Sequence, residues 1–453
     1  MYSFGRRSNA MQGTKPTMAE LEGRTVRKVI WRLLPFLMLC YFMAFLDRVN
    51  IGFAHLQMSN ALGMSDAAFG FGAGIFFIGY FLVEVPSNII LARVGARVWI
   101  ARIMLSWGAV SASFGFIPQL STHSGLSPQA WFYVLRFLLG VCEAGFYPGV
   151  VFYLTRWFPE VFRARVIAFF MLAVPVSNMI GAPLSGVLLN VTGIGLQGWQ
   201  WLYILEGVPS MLLSAAVLLY LTDHPRDAGW LLPNEITWLE NKIAGEQDAA
   251  GRDGHSAFWK MMMDVRVLVC AFANFAMQGA TYSIILFLPA LVSELGYSYV
   301  QTGLILAFPP FIGAIGMVLF SRHSDRTGER KFHVAAALLM LSAGIAGGAL
   351  LADPVTRLLF FTLANIGSVS LGPMLYPIPT AFLPKSTVAA GIAAISSLGA
   401  LGGFVGPYLF GAVKTWTGGA SASLLLMAGL ALAGALVRGS LRLGKAAKPV
   451  VAF

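Results

Sequence analysis

Charge is what this chain has least of. Charged residues make up 11% of its 453 positions, against about 25% in an ordinary soluble domain, so it cannot cover a water-facing surface. Cysteine is scarce as well: Cys40, Cys142 and Cys270 all sit in apolar runs without ligand spacing, which argues for small core residues rather than a metal site. The six histidines, at 55, 123, 224, 255, 323 and 333, fall mainly at the ends of apolar runs or between them, and no nucleotide-cradling loop is present. No His, Cys and Asp/Glu cluster has ligand spacing. Neither an enzyme nor a cofactor is expected.

What is present is apolar. Hydrophobic residues account for 57% of the chain and the mean hydropathy is +0.73. Windows of about twenty apolar residues mark spanning helices, near 31–56, 68–91, 99–118, 130–154, 165–190, 201–222, 266–290, 300–321, 334–352, 357–382, 388–413 and 421–438. The prediction is an all-α membrane protein with twelve transmembrane helices. The net charge of +11 could suggest a polyanionic partner, but its distribution argues otherwise. Lys and Arg gather in the tails, alternate loops and a central loop; the opposite loops hold Arg357 and Lys414, and Arg48 and Arg136 lie inside apolar spans. Cytoplasmic loops retain basic residues, so the basic balance predicts two cytoplasmic termini and no nucleic-acid partner. Polar, basic residues fill 1–30 ahead of the first span, which predicts a tail rather than a cleavable signal.

Residues 223–265 interrupt the pattern. They open on Asp223-His224-Pro225-Arg226-Asp227, and Ile236, Leu239 and Ile243 recur at helical spacing behind Pro233-Asn234, which predicts a cytoplasmic linker with a short amphipathic helix. The chain then divides into a tail at 1–30, a six-helix half at 31–222, the linker, a second half at 266–438 and a tail at 439–453. The halves echo each other. Arg93-Val94-Gly95-Ala96-Arg97 follows the second span and Asp325-Arg326-Thr327-Gly328-Glu329-Arg330-Lys331 the eighth; Gly181-Ala182-Pro183 with Gly186 matches Gly406-Pro407 with Gly411. Parallel repeats of this kind hold their substrate at mid-membrane, between the halves.

An ionisable group at the bilayer centre costs about 2.5–3.5 kcal/mol on insertion scales. The chain keeps Asp47 and Arg48 in the first span, Glu84 in the second, Arg136 and Glu143 in the fourth and Glu206 in the sixth, whereas the second half has no carboxylate well inside a span. Proton binding is therefore expected of the first half alone. Arg136 and Glu143, seven residues apart, share one face about 10 Å apart along the axis. Asp47 and Arg48 are adjacent, about 100° apart, and should find partners on other helices. Which acid meets which arginine is open. Buried ion pairs can also serve packing alone, but for these four the expected role is transport. Glu84, in Glu84-Val85-Pro86 near a helix end, reads as a hinge or gate contact. Glu206, following Trp199-Gln200-Trp201, reads as an interfacial anchor or packing partner. Arg93, Arg97, Asp325 and Arg326 read as gating and topology features.

At these residues the chain resembles the anion:cation symporter family of the major facilitator superfamily. The resemblance rests on Phe45-Leu46-Asp47-Arg48-Val49-Asn50-Ile51-Gly52-Phe53-Ala54, on Arg136 to Glu143 followed by Ala144-Gly145-Phe146-Tyr147-Pro148-Gly149, on Gly198-Trp199-Gln200-Trp201 through Leu205-Glu206-Gly207, and on Gly402-Gly403-Phe404-Val405-Gly406-Pro407-Tyr408. It runs from about Val26 to Thr417 and is nearest to the family's bacterial tartrate transporters, with 4-hydroxyphenylacetate and phthalate permeases next. It implies that Asp47 and Glu143 carry protons, that Arg48 and Arg136 serve the substrate carboxylate or the salt-bridge network, and that Tyr80 faces the substrate. Phe45, Tyr376 and Ser396 depart from the family's usual Tyr, Trp and Asn, at positions where the ligand body is expected.

The expected function follows: uptake of a small organic carboxylate, a tartrate-like hydroxy acid or an aromatic acid, by proton symport at a bacterial inner membrane. The partners are the anion, protons and the lipid bilayer, and a monomer is expected. Tyr80, Asn178, Tyr282, Tyr376 and Ser396 are candidates to select the ligand body, each equally suited to helix packing. Three competitors stay open on the residues. Gly181-Ala182-Pro183 has some similarity to a motif of proton-driven drug exporters, an uncoupled anion facilitator would have little need for two deep acids, and a membrane enzyme is the weakest of the three, without a ligand-spaced cluster or nucleotide loop.

Overall fold

The computed structural model describes residues 17–247, 263–383 and 385–440; the expected tails at 1–16 and 441–453 and the linker stretch 248–262 lie outside the described residues. The apolar runs are helical and their polar borders set where each helix begins. Ser65 accepts from the Ala68 N–H, Ser127 from Ala130, Ser298 from Gln301 and Asp353 from Thr356, each relieving one of the donors that a helix start leaves unpaired.

In chain order the helices are α1 (Met18–Leu62), α2 (Asp66–Val94), α3 (Ala96–Phe114), α4 (Ile117–Ser124), α5 (Pro128–Glu143), α6 (Phe146–Thr155), α7 (Glu160–Met171), α8 (Ala173–Leu188), α9 (Gly198–Tyr220), α10 (Pro233–Gln247), α11 (Val265–Ser293), α12 (Tyr299–Thr327), α13 (Lys331–Leu350), α14 (Pro354–Leu375), α15 (Lys385–Thr417) and α16 (Ala420–Ser440). Among the described residues eleven spans are long and apolar enough to cross a membrane, or twelve if α3 and α4, bent by 80° at their junction, count as one. Two expected single helices are each two pieces, α5 with α6 and α7 with α8. The first span overruns its expected limits of 31–56 at both ends. Thr17 and Glu20 cap each other's backbone N–H groups and start α1 well before its apolar stretch.

α3 packs on α9 and α5, and α1 on α8 and α9, while α11 packs on α15 and α16, and α13 on α14 and α16. Among the described residues these two sets are joined chiefly by α2 with α15, α8 with α12, and α1 with α11. The first two are equivalent under the pseudo-twofold relation of the repeats, and both are made through the matched glycine and proline stretches. A Cβ on Gly74 of α2 would stand 2.7 Å from the Phe404 carbonyl of α15. One on Gly303 of α12 would stand 2.8 Å from Pro183 Cα of α8. Lipid tails are as apolar as a side chain, so helices in a membrane associate through close van der Waals contact, which small residues permit. These contacts seal the sets at the end where α1 finishes and α2 begins. There Lys414 bridges Asp66 at 3.3 Å and Glu294 at 3.4 Å, and Thr415 Oγ1 accepts from the Ala67 N–H at 3.0 Å.

The opposite end carries α10, the expected linker helix. Leu239 and Ile243 are buried beneath it, and Glu235, whose side chain is 1% exposed, bonds Arg24 at 3.3 Å and Lys28 at 3.0 Å on the extension of α1. Burial works against the Glu235 charge. The Leu232 N–H, Lys28 and Arg24 outweigh it and hold the carboxyl below its ordinary value of 4.5. A carboxyl depressed in the folded state stabilises above its ordinary value, and that contribution is lost as the pH falls through the lowered one. Glu235→Gln should thus lower the melting temperature in detergent by about 1–2 °C at pH 7, and the gap between variant and parent should close on acidification. An equal gap in acid would show that the carboxylate charge contributes nothing.

Candidate functional site

Asp47 and Arg48 are neighbours on α1, and their separation around the helix sends them to different partners. Arg48 reaches α5: its Nε donates to Glu143 Oε1 at 2.8 Å and its Nη2 to the same oxygen at 2.5 Å. Its Nη1 donates to the Tyr282 hydroxyl of α11 at 3.4 Å, so one guanidinium touches both sets of helices. Aromatic rings surround it, with Phe45 at 4.9 Å and Phe76 and Tyr80 at 5.6 Å, a setting that favours a cation through the ring quadrupoles. The Arg48 side chain keeps 19% exposure against 4% for Glu143. The arginine stands between the sets and the acid behind it.

Glu143 owes its position to a break in the span. It is the last residue of α5; Ala144 then turns out of the helix and Gly145 sits at φ +91° before α6 begins. Ser87 of α2 closes the break by donating to the Ala144 carbonyl at 2.8 Å, and Trp99 donates in turn to Ser87 at 3.0 Å. At a helix C-terminus the unpaired carbonyls repel an anion, so an ionised Glu143 depends on Arg48.

Asp47 turns the other way, into the bundle. Its Oδ1 accepts from Ser111 of α3 at 2.8 Å and from Asn50 at 3.2 Å. Arg136, buried on α5, donates from Nη2 to the Ala73 carbonyl at 3.1 Å and lies 5.0 Å from the Phe76 ring, which places that ring against both guanidiniums. Among the described residues Arg48–Glu143 is the one ion pair formed among the four charges that the sequence singled out, and Asp47 and Arg136 stand outside it.

The other expected residues divide. Tyr80 and Tyr282 stand at Arg48; Tyr282 also packs on Phe77 at 4.5 Å. Tyr376 lies beside Ser396 and Asn274 in the second set and within the field of Glu84 from the first. Asn178 lines a cavity between the two sets, with Val49, Thr281, Leu306, Asn365 and Ser368, where Thr281 and Ser368 share a hydrogen bond of 2.7 Å. The loop charges bond within their own sets: the Arg97 guanidinium to the Leu218 carbonyl, its backbone N–H to Asp223 at 3.0 Å, and Asp325 to Arg330 at 3.3 Å. Arg93 and Arg326 are exposed.

Of the two readings of Glu206, the packing partner is the one that fits: it is 1% exposed and Asn50 donates to it at 2.7 Å. Its place after a tryptophan-rich run left both open. Sequence reasoning also passed over Asn50, Ser111 and Ser185, although Asn50 stands one helical turn after Asp47. It missed the site of closure as well, where His55 bonds Ser59 at 2.6 Å and Asp66 at 3.2 Å beneath Lys414. Among the described residues no group of three or more His, Cys, Asp or Glu could hold a metal ion.

Comparison with known proteins places this geometry. The family model described as Major Facilitator Superfamily matches residues 37–407. An Agrobacterium vitis protein named "Putative tartrate transporter" is 46% identical over 420 residues, spanning 92% of this chain and 95% of its own. A "Quinolone resistance transporter" of Acinetobacter baumannii is 36% identical over 420 residues, spanning 92% and 95%. Among solved structures, a D-xylose-proton symporter superposes with a TM-score of 0.72 over 92% of this chain and 98% of that one, at 14% identity. A bacterial homologue of the human lysosomal transporter Spinster, inward-facing and unoccupied, gives 0.70 over 94% and 97% at 18% identity. The structural likenesses show the fold.

The break behind Glu143 is open to test. Gly145→Ala imposes a left-handed backbone on an L residue, at about 1–2 kcal/mol, and also drives a Cβ into Ser87. Gly125, at φ +75° with nothing within 4 Å of its would-be Cβ, carries the backbone cost alone. Thermal melts in detergent should show Gly145→Ala losing more than Gly125→Ala; equal losses would mean that Ser87 yields freely.

Proposed function

The chain belongs to the Major Facilitator Superfamily, and on that premise we propose that it imports a small hydroxylated carboxylate of the tartrate class together with protons. It works at a bacterial inner membrane, as a monomer, with both termini cytoplasmic. The observation that carries this reading is the single guanidinium at the cleft, Arg48, engaged by Glu143 through one oxygen. A forked donor suits a carboxylate. The relative named for tartrate, at 46% identity, supports the same class of substrate.

Moving an anion into a cell that is negative inside costs about 2.3 kcal/mol per charge per 100 mV; accompanying protons offset that cost. When Glu143 takes up a proton, it loses the charge that holds Arg48, and the guanidinium becomes free for the substrate carboxylate. Asp47 takes up a second proton inside the bundle. Arg136 adds positive potential behind Phe76, while Tyr80, Tyr282, Asn178, Tyr376 and Ser396 meet the ligand body. The two sets of helices, 31–222 and 266–438, then rock about the site. Basic loops gather at the end bearing α10, which makes that end cytoplasmic and the closed end outer. The conformation described here is accordingly inward-facing, after substrate release, with the Arg48–Glu143 pair restored. Glu84, Arg93, Arg97, Asp325 and Arg326 make their gating contacts when the cytoplasmic end closes.

A second reading, a proton-driven exporter, draws on the relative named for quinolone resistance. A buried arginine at the cleft suits an anion better than a lipophilic cation.

Proteoliposomes holding the purified chain, with an inward proton gradient, separate these readings. Tartrate and other hydroxy-diacids should accumulate, more than aromatic acids do. Quinolone transport without carboxylate uptake would establish the exporter. Asp47→Asn and Glu143→Gln should each abolish accumulation yet retain exchange across the membrane; if both still concentrate substrate, the proton assignment is wrong. Arg48→Ala should weaken tartrate binding by about 30-fold or more, as loss of a charge-assisted contact worth about 2 kcal/mol requires. Unchanged affinity in a direct binding assay would reject its role.

A further inference from the structure

Asn50 is fully buried and bridges two acids. Its Nδ2 group donates to Asp47 Oδ1 at 3.2 Å and to Glu206 Oε2 at 2.7 Å. Ser111 donates to Asp47 at 2.8 Å and Ser185 to Glu206 Oε1 at 3.3 Å. Every one of these donors is neutral. Asp47 and Glu206 are 3% and 1% exposed, and neither forms an ion pair among the described residues. Two carboxylates bridged by one amide, with no cation bonded to them, would be an uncompensated buried charge worth several kcal/mol; a single proton removes half of it.

The groups that face the pair say where that proton goes. Among the described residues α3 and α8 contribute Ser111 and Ser185; α9 adds Tyr203, whose hydroxyl has no hydrogen-bond partner. From α5 come Arg136 and Glu143, both within electrostatic reach of Asp47. Besides the Tyr203 hydroxyl, Asn50 Oδ1, Asp47 Oδ2 and Arg136 Nε are buried there without hydrogen-bond partners, and the last two complement each other as acceptor and donor. We propose that Asp47, Asn50 and Glu206 form one proton-binding unit, in which the two carboxyls share a single proton that Arg136 replaces when it leaves.

This inference rests on the symport reading and extends it. Glu206 becomes part of the coupling site, and Arg136 stands to this unit as Arg48 stands to Glu143. In the conformation described, Arg48 has recaptured Glu143 while Arg136 has not captured Asp47. Glu143 therefore loses its proton first and the buried pair second. The step is a simple protonation: the proton arrives on one carboxylate oxygen from the cleft and returns there, and no other bond changes.

Glu206→Gln removes one of two interacting charges, so Asp47 should then hold its proton less tightly. In proteoliposomes the pH midpoint of tartrate uptake should move down by about one unit or more, with substrate exchange retained, whereas Glu206→Asp should keep the parental midpoint. A Glu206→Gln midpoint equal to the parent's would overturn the proposal and leave Glu206 a packing residue. Infrared spectra of the purified protein at neutral pH supply a readout independent of transport. The carboxylic-acid C=O band should weaken both in Glu206→Gln and in Asp47→Asn, because a shared proton is lost with either partner. Loss in one variant alone would refute sharing, and a band that survives in Asp47→Asn refutes it even if Glu206→Gln fails to fold. If parental uptake ignores the proton gradient, the symport reading fails by itself, and the infrared result still judges the pair.

Discussion

The site is governed by the expense of holding ionised side chains in a medium that does not solvate them. An arginine there stays charged, so its position is set by whatever negative group can reach it. Arg48 has Glu143, brought to the end of α5 and aimed across at α1. Arg136 has only the Ala73 carbonyl and the face of Phe76. The acids differ in the same way: Glu143 meets a guanidinium, whereas Asp47 and Glu206 meet serines and an amide. The five ionisable groups thus form one strong pair, Arg48 with Glu143, and leave Asp47 and Glu206 among neutral donors with Arg136 apart, rather than two matching salt bridges.

Close helix contact supplies the other half of the design. The sets meet where glycines let backbones approach, as at Gly74 against Phe404 and Gly303 against Pro183, and the seam lies toward one end of the molecule. Lys414 adds a charge between Asp66 and Glu294 at that end. A seam made mainly of van der Waals contact, with a few exposed ion pairs, can part without stranding buried charge. The Arg48–Tyr282 contact, deeper and at 3.4 Å, is the polar link nearest the cleft. Substrate bound at Arg48 would therefore stand where both sets can sense it.

The helix breaks fall beside function. The left-handed Gly145 turns the chain directly after Glu143, and Ser87 satisfies the carbonyl that the turn releases. An unbroken helix would carry the chain past this point without freeing the Ala144 carbonyl for Ser87. The hydrogen-bond pattern at the break explains why Gly, Ser and Trp occur at 145, 87 and 99 in a stretch otherwise chosen for apolarity.

Apolar run length and the scarcity of charge determined by themselves that the chain is a helical membrane protein, because a spanning segment must satisfy its own backbone and present no ions to lipid. The cost of a buried ion likewise marked Asp47, Arg48, Arg136 and Glu143, and helix geometry separated Asp47 from Arg48. Only the tertiary structure decided who meets whom. Sequence spacing fixes angles within a helix, but the partner of Arg48 lies 95 positions away and the link from Asn50 to Glu206 spans 156. Glu206 stayed open between anchor and packing partner for that reason: its local sequence suits either, and only the packing of α9 against α1 and α3 buries it.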